Sequence, residues 1–284
     1  SLKMLETLID NNFTVSAVVT SEDQGINSDF SDLKRKCKEN KIPCLVTDDI
    51  NSRETLEWIK SYKPEVIFCF GWSRLIKQEL LNLPPLGIVG FHPAHLPLNR
   101  GRHPLIWALT LGLTKTASTF FFMNEGADEG DILSQEEIVI DLADDAESLY
   151  IKVMKTAEHQ LVKLTRNLEL KKYERFPQNH SKANLWRKRS EKDGEIDWRM
   201  NAESIYNLVR ALSHPYPGAH FFHNGFKHVV WKSKISKYKP LKNTEHGKVV
   251  SINNNGVVTI KCYDSCIELL VVEPILQVHE GDYL

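Results

Sequence analysis

A histidine and an aspartate near the middle of the chain have the types and the setting that acid–base chemistry needs. His92 follows an apolar run at residues 86–89, and Pro93 comes directly after it, which ends a strand. Asp128 lies further along, in a glycine-rich turn. An imidazole changes its charge near neutral pH, and a carboxylate can orient it. The pair therefore suits a reaction in which a proton moves and an oxyanion forms.

The elements that must position this pair follow from the hydrophobic pattern. Short apolar runs alternate with amphipathic segments from residue 14 to about residue 168. The pattern predicts strands at 15–19, 44–47, 65–70, 87–91, 117–123 and 132–140, and helices at 32–40, 52–61, 74–81, 104–111 and 146–168. This alternation indicates an α/β domain, a mostly parallel sheet with helices on both faces. Ligands lie beyond the carboxyl ends of such strands, where residues 70–72 and 91–92 stand.

The last third of the chain has a different pattern. Residues 169–193 are rich in charge and without periodicity, so we expect a surface linker. A helix at 202–213 follows, and then strands at 219–223, 227–235, 247–252, 257–262 and 267–272, with a hairpin signal at 253–256. This order predicts a small antiparallel barrel or sandwich. We therefore divide the chain into a catalytic domain at 1–180 and a mainly-β domain at 181–284.

Composition narrows the class of protein. The chain has 284 residues, 42% of them hydrophobic, and a net charge of −1, which argues against a protein devoted to nucleic acid. The five cysteines have no metal-ligand spacing, so we expect reduced thiols, no metal and a cytoplasmic location. No apolar run approaches the roughly 18 residues that span a membrane, and no secretory signal is visible. A monomer and a homodimer both stay open.

Three stretches resemble the signature of formyltransferases that use 10-formyltetrahydrofolate: residues 91–97, Arg100-Gly101 and residues 125–131. Residues 194–198, 210–212 and 215–219 also resemble the start of the C-terminal domain of the enzymes acting on methionyl-tRNA and on nucleotide-linked amino sugars. The resemblance covers nearly the whole chain. It implies a Rossmann-like domain followed by an OB-like one. It also implies a strand before the amphipathic helix at 1–11, so we expect this first strand to be missing from the sequence.

The resemblance also implies roles for single residues. His92 would face the formyl carbon, and Asp128 would favour its charged form and take part in moving protons. The formyl donor, 10-formyltetrahydrofolate, would lie between two loops, and its binding residues would be Trp72, Arg74, Leu75, Ile76, Asn124, Glu125, Gly126 and Ala127. The acceptor side would comprise Gly90, His95, Asn99, Arg100 and Gly101. Two roles stay open for Arg100, a contact with an acceptor phosphate or the pinning of its loop, and His95 either lines this side or packs.

One position departs from the family pattern. The family has a catalytic asparagine two positions before the histidine, and Gly90 stands there in this chain. Loss of one oxyanion donor costs about 100- to 1000-fold in rate. Three alternatives stay open: the amide of Asn99 or Asn124 takes its place, a backbone or water donor does so, or the protein is a weakened relative.

These observations support three hypotheses about function. The first is N-formylation of a nucleotide-linked amino sugar for polysaccharide biosynthesis, because the charge balance suits a small acceptor. The second is methionyl-tRNA formyltransferase, since the second-domain motifs also resemble that enzyme. The third, motivated by Gly90, is a folate- or sugar-nucleotide-binding protein without catalysis. The sequence does not identify the acceptor sugar, the position of its amine or the nucleotide base.

Overall fold

The computed structural model describes residues 1–22, 32–72 and 74–284. The helices are α1 (Leu2–Asp10), α2 (Leu33–Glu39), α3 (Arg53–Ser61), α4 (Gln78–Leu81), α5 (Pro104–Thr110), α6 (Ala146–Glu169) and α7 (Ala202–Ala211). The strands are β1 (Val18–Thr20), β2 (Cys44–Val46), β3 (Ile67–Cys69), β4 (Ile88–His92), β5 (Arg100–Gly101), β6 (Lys115–Phe122), β7 (Ile132–Val139), β8 (Leu185–Trp186), β9 (Ala219–His223), β10 (Phe226–Ile235), β11 (Val249–Ile252), β12 (Val258–Lys261) and β13 (Cys266–Glu273).

Side-chain caps set several of the helix starts. The side chain of Asp32 accepts a hydrogen bond from the backbone N–H of Lys34 at the start of α2, and Ser52 does the same for Thr55 at the start of α3. Asn201 caps α7 in the same way. Each cap satisfies a backbone donor that has no partner within the helix. Helix boundaries predicted from the sequence at these places are therefore close to the observed ones.

The first half of the chain forms the α/β fold that the sequence predicts. Its four-stranded sheet has the order β3-β4-β6-β7, in which β3 and β4 are parallel and β4 and β6 antiparallel. Strands β1 and β2 form a second parallel pair. Adjacent residues of a strand face opposite sides of the sheet. Accordingly, Val89 packs with residues of α1 and α6, whereas Ile88 packs with residues of α3 and α4. Helices therefore cover both faces, which confirms the predicted fold class.

The helix predicted at 74–81 is wrong in its first half, because α4 begins only at Gln78. The side chain of Asn51 explains the difference. Its Nδ2 donates to the carbonyl oxygen of Leu75 at 2.9 Å, and its Oδ1 accepts from the backbone N–H of Lys77 at 2.8 Å. These bonds take up backbone groups in an extended loop. Residues 74–77 are therefore held outside the helix.

The chain divides into two compact units that interleave in sequence, whereas the sequence predicts a single boundary after residue 180. The first unit comprises residues 1–104, 116–138 and 151–186, and the second comprises 105–115, 139–150 and 187–284. In the second, β11, β12, β13, β10 and β9 form an antiparallel sheet, and residues 253–256 form the expected hairpin turn. Its core includes Ile205 of α7, Phe221, Ile260 and Ile267, each at most 2% exposed.

Most of residues 169–193 are exposed, as expected of a surface linker, yet the stretch also makes fixed contacts with the rest of the chain. Gln178 and Arg189 are buried, and Phe176 exchanges two backbone hydrogen bonds with Ile132, at 2.9 Å each. Strand β8 pairs in parallel with β5. Charge-rich sequence can pack when its polar groups find partners, and these do. This stretch is therefore part of the folded structure.

Within the described ranges, the chain has no candidate for a membrane-spanning helix and none for a metal-binding cluster. No helix there is long and apolar enough to cross a membrane. Likewise, the described histidine, cysteine and carboxylate side chains form no group of three or more that could hold a metal ion.

Candidate functional site

His92 is the last residue of β4, and its ring is almost entirely buried. Its side chain is 6% exposed, and its Nε2 atom lies 2.8 Å from the backbone carbonyl oxygen of Asn99. A carbonyl group can only accept a hydrogen bond, so this contact assigns the ring hydrogen to Nε2. Nδ1 is therefore the ring nitrogen that carries no hydrogen in the neutral imidazole.

Asp128 stands beside that free nitrogen. Its Oδ2 atom lies 3.6 Å from Nδ1 of His92, and it also accepts a hydrogen bond from the backbone N–H of Gly101 at 2.9 Å. The Asp128 side chain is 22% exposed, so the pair opens on this side. A separation of 3.6 Å is an ion-pair distance when the imidazole is charged, and is longer than a hydrogen bond. The structure thus brings together the two residues that the sequence singles out.

Backbone geometry around Asp128 depends on two glycines. Gly101 has a φ of +100°, and a Cβ atom there would lie 2.3 Å from the carbonyl oxygen of Trp186. A Cβ atom at Gly130 would lie 1.6 Å from the carbonyl oxygen of Phe122. Both are contacts with backbone, which cannot move aside as a side chain does. Only glycine lets the chain pass close enough at these two points.

Gly90 lies on β4 two residues before His92, on the same face of the strand. A Cβ atom at this position would meet Cζ of Phe121 and Cγ of Met123, both at 3.0 Å. An asparagine side chain would need more room than a Cβ atom. Apolar side chains therefore fill the place toward which the family's asparagine would project.

A thiol also lies near this point. Cys69 of β3 is the register partner of Gly90, and burial raises the pKa of its thiol to about 12. A thiol with such a pKa stays protonated at neutral pH, and the protonated form is a poor nucleophile. Cys69 is therefore a packing residue, and the imidazole and the carboxylate stay the predicted catalytic groups.

The loop after β3 combines a buried side with an exposed edge. Ile76 is buried, whereas Leu75 is 74% exposed, and Nη2 of Arg74 lies 3.4 Å from Oδ1 of Asp48. Trp72 is partly buried, and its Nε1 atom is buried with no hydrogen-bond partner among the described residues. A buried indole N–H normally has a partner. A contact of this donor with the formyl donor stays a prediction.

The loop after β6 lies in the same neighbourhood. Met123, just before it, packs in the same hydrophobic cluster as Trp72 and Ile76. Within the loop, Oδ1 of Asn124 accepts a hydrogen bond from the backbone N–H of Gly126 at 3.0 Å, a local turn that engages this oxygen. The other members of the loop, Glu125 and Ala127, are exposed. The two loops predicted to flank the formyl donor thus share one apolar base.

The residues predicted for the acceptor side have separate surroundings. Arg100 is buried, and its guanidinium donates to Oε1 of Gln178 from Nε at 3.1 Å and from Nη2 at 2.7 Å. Its Nη1 lies 3.5 Å from Oε1 of Glu129. Arg100 thus pins its loop, the second of the roles left open, and a contact with an acceptor stays a prediction. His95 is half-buried, and its buried Nδ1 has no hydrogen-bond partner in the described part of the chain.

Three residues at the site carry no local signal in the sequence. Gln178 and Asn184 lie in the stretch predicted as a linker, yet both hydrogen-bond to the loops around His92 and Asp128. Asn51 holds the loop at 74–77. The only hint in the sequence is that each is an amide outside a regular element, which describes many surface residues. The sequence analysis therefore missed them.

Models of one protein family match most of the chain. Residues 3–165 match the model of the family described as formyl transferase, and residues 188–277 match that of the formyl transferase C-terminal domain. A curated relative, the bifunctional polymyxin resistance protein ArnA of Wigglesworthia glossinidia brevipalpis, is 33% identical over 268 residues. That alignment covers 94% of this chain but 40% of the relative, so the chain spans less than half of that protein.

Solved structures with the same fold include two enzymes of different substrate class. One is the N-formyltransferase of Helicobacter canadensis in complex with folinic acid and dTDP-3-aminofucose, with a TM-score of 0.68, 18% identity and 94% of each chain covered. The other is a methionyl-tRNA formyltransferase from Clostridium thermocellum, with a TM-score of 0.60, 22% identity, and 80% of this chain and 96% of that chain covered. At these identities the likeness concerns the fold.

Proposed function

Because the chain belongs to the formyl transferase family, we propose that it moves a formyl group from 10-formyltetrahydrofolate to the primary amine of a nucleotide-linked amino sugar. The observation that carries this proposal is the contact between Nδ1 of His92 and Oδ2 of Asp128, at 3.6 Å. Both residues belong to the first compact unit.

The His92–Asp128 pair supplies what attack of an amine on a formyl group requires. The donor brings the activated one-carbon unit, and charge develops on its oxygen during the attack, so a nearby cation or donor lowers the barrier. His92 provides that cation when Nδ1 is protonated, because its Nε2–H is held by the carbonyl of Asn99. Asp128 would stabilise the charged ring and receive the proton that the amine releases. The bond between the formyl carbon and the folate nitrogen would then break, and the proton would pass to that leaving nitrogen.

The surroundings of the pair fit a folate as the donor. Leu75, in the loop after β3, is exposed, and Trp72 has a buried N–H without a partner in the described chain. Beneath them, Ile76 and Met123 form an apolar base. A flat heterocycle binds in a slot of this kind, with apolar faces and polar groups along its edge. Trp72, the loop 74–76 and the loop 124–127 are the residues that would hold it.

A small acceptor suits the chain better than a nucleic acid does. With a net charge of −1, the chain has no excess of positive charge with which to neutralise a phosphate backbone. The Helicobacter canadensis structure, which contains dTDP-3-aminofucose, supports a sugar nucleotide. On the acceptor side, His95 has a buried nitrogen in need of a partner, and Asn99 lies beside the ring of His92.

The test is an acceptor panel with one donor. Purified protein is incubated with 10-formyltetrahydrofolate and with dTDP-linked 3-amino and 4-amino sugars, dTDP-3-aminofucose among them, or with initiator methionyl-tRNA. Mass spectrometry then detects addition of one formyl group, and His92→Ala provides the inactive control. Transfer to an amino sugar that His92→Ala abolishes supports the proposal. Transfer to the tRNA alone would establish the second candidate, whereas folate binding without any transfer would establish the binding protein.

A further inference from the structure

We propose that residues 178–186, named here the return segment, hold His92 and Asp128 at their working separation. The return segment belongs to neither of the loops that carry the two side chains. It nevertheless hydrogen-bonds to the backbone on both sides of the pair, and no side chain of it touches the imidazole or the carboxylate oxygens in the contacts described. Its residues are therefore positioning residues. Only the kinetic test of this inference rests on the proposed function.

Gln178 fixes the Asp128 side. Its side chain is buried, and its Nε2 donates to the carbonyl oxygen of Asp128 at 2.8 Å and to that of Gly130 at 2.7 Å. Its Oε1 accepts two hydrogen bonds from the guanidinium of Arg100, at 3.1 and 2.7 Å. Its amide N–H groups thus bond to the backbone of the loop that carries Asp128, and its amide oxygen bonds to Arg100 of β5. A single side chain therefore connects the turn that carries Asp128 to β5.

Asn184 fixes the His92 side. Its Oδ1 accepts a hydrogen bond from the backbone N–H of Asn99 at 2.8 Å, and its own carbonyl accepts from the N–H of Arg100 at 3.2 Å. The carbonyl oxygen of Asn99 is the group that holds Nε2 of His92. The side chain of Asn184 is thus connected to the imidazole of His92 by hydrogen bonds through a single residue, Asn99. Asn99 has a φ of +64°, a conformation that needs such support.

The two anchors converge at β5. The carbonyl of Trp186 accepts a hydrogen bond from the N–H of Arg102 at 3.0 Å, which keeps β8 against β5. Gly101 lies within that pairing and donates its N–H to Oδ2 of Asp128. The return segment therefore sets the position of Asp128 twice, through Gln178 and through Gly101. A displacement of about 1 Å in an active site can cost about 100-fold in rate.

Substitutions that keep size and remove hydrogen bonds test the proposal. Gln178→Met removes all four bonds of the amide. Its matched control is Gln160→Met, because Gln160 is also buried in the first unit and donates to Ser118 and Ser134, and the hydrogen bonds described for it include neither His92 nor Asp128. We expect Gln178→Met to lower kcat by about 100-fold with little change in the KM of the donor. Gln160→Met is expected to keep the kcat of the parent.

Asn184 provides an independent and better tolerated pair of variants, because it is exposed. Asn184→Asp keeps the acceptor oxygen and Asn184→Leu removes it. We expect the aspartate variant to retain the kcat of the parent and the leucine variant to lose most of it. Equal loss in both variants would contradict the role given to this oxygen.

A second readout is independent of turnover. In protein labelled with ¹⁵N-histidine, the ring-nitrogen signals of His92, identified by their absence in His92→Gln, report its hydrogen-bonded state. We expect these signals to shift or broaden in Gln178→Met and Asn184→Leu, and to be unchanged in Gln160→Met and Asn184→Asp. Parental kcat and parental His92 signals in both Gln178→Met and Asn184→Leu would overturn the proposal. If no acceptor is formylated by the parent, the proposed function fails, while the His92 signals still decide this inference.

Discussion

The backbone N–H of Gly101 donates to Oδ2 of Asp128, the same carboxylate oxygen that lies nearest to Nδ1 of His92. This oxygen is thus fixed by a backbone donor before any ligand binds. A glycine is required at the donor position, since a Cβ atom would collide with the carbonyl of Trp186. The fold therefore sets the orientation of the Asp128 carboxylate and restricts the rotation of its side chain.

Asp128→Asn separates the charge of this carboxylate from its geometry. The substitution keeps an oxygen for the N–H of Gly101, and asparagine tolerates the φ of +57° at this position. We expect kcat to fall by about 100-fold, because the imidazolium loses its counter-charge and the amine its proton acceptor. The melting temperature is expected to stay near that of the parent. Asp128→Ala is the comparison: it loses the hydrogen bond as well and should melt lower. Parental kcat in Asp128→Asn would remove the carboxylate from the mechanism.

Asn51→Ala tests how the donor loop is held. The side chain of Asn51 bonds the carbonyl of Leu75 and the N–H of Lys77, and each bond contributes about 0.5–1.5 kcal/mol. We expect binding of 5-formyltetrahydrofolate to weaken by about tenfold, measured by calorimetry, with kcat at saturating donor near that of the parent. Asn82→Ala is the control, because Asn82 is an exposed amide of the same unit that contacts only Gln78 in the side-chain bonds described. Unchanged affinity in Asn51→Ala would mean that this loop does not bind the donor.

The sequence predicts features that depend on neighbouring residues better than features that depend on contacts between residues far apart in the chain. The sheet and its two helical layers follow from apolar periodicity, because burial of one face repeats along each element. The end of β4 at His92 follows from the proline after it. By contrast, Gln178 and Asp128 are 50 positions apart, and Asn99 and Asn184 are 85 apart. A hydrogen bond from a side chain to a distant backbone group leaves no periodic pattern, so the return segment appears as a charged linker.

The same limit applies to Arg100. Its place before Gly101 leaves a phosphate contact and a structural role equally open. The choice depends on Gln178 and Glu129, which reach the guanidinium only in the folded chain. A guanidinium suits either task because its planar set of N–H donors can bond to phosphate oxygens as well as to amide or carboxylate oxygens. Residue type therefore predicts the chemistry of this side chain, and tertiary structure decides what it contacts.

Cys262→Ala tests the effect of pH on stability in the second unit. Burial raises the pKa of the Cys262 thiol from an ordinary 9.0 to about 12. Between these values the unfolded chain loses the proton while the folded chain keeps it, so stability present below pH 9 is lost as the pH rises. We expect urea unfolding to show that the parent loses about 1.4 kcal/mol more than Cys262→Ala between about pH 8 and about pH 10. Equal losses in the two proteins would show that this thiol ionises in the folded state as it does in the unfolded chain.

Gly90→Asn tests whether the apolar wall of Phe121 and Met123 excludes the family's asparagine. Even a Cβ atom would lie 3.0 Å from each side chain, so we expect the variant to lose about 1–3 kcal/mol of unfolding free energy and to gain no kcat. Gly90→Ala, with the Cβ atom alone, should lose less.

Phe121→Leu combined with Gly90→Asn should be more stable than the sum of the two single changes predicts, because the smaller side chain removes the collision. Additive losses would show that the two positions do not compete for space. A rise in kcat for Gly90→Asn alone would contradict this account. It would show that the site lacks a donor for the formyl oxygen and has room for an asparagine side chain, whereas the position of Phe121 leaves no such room.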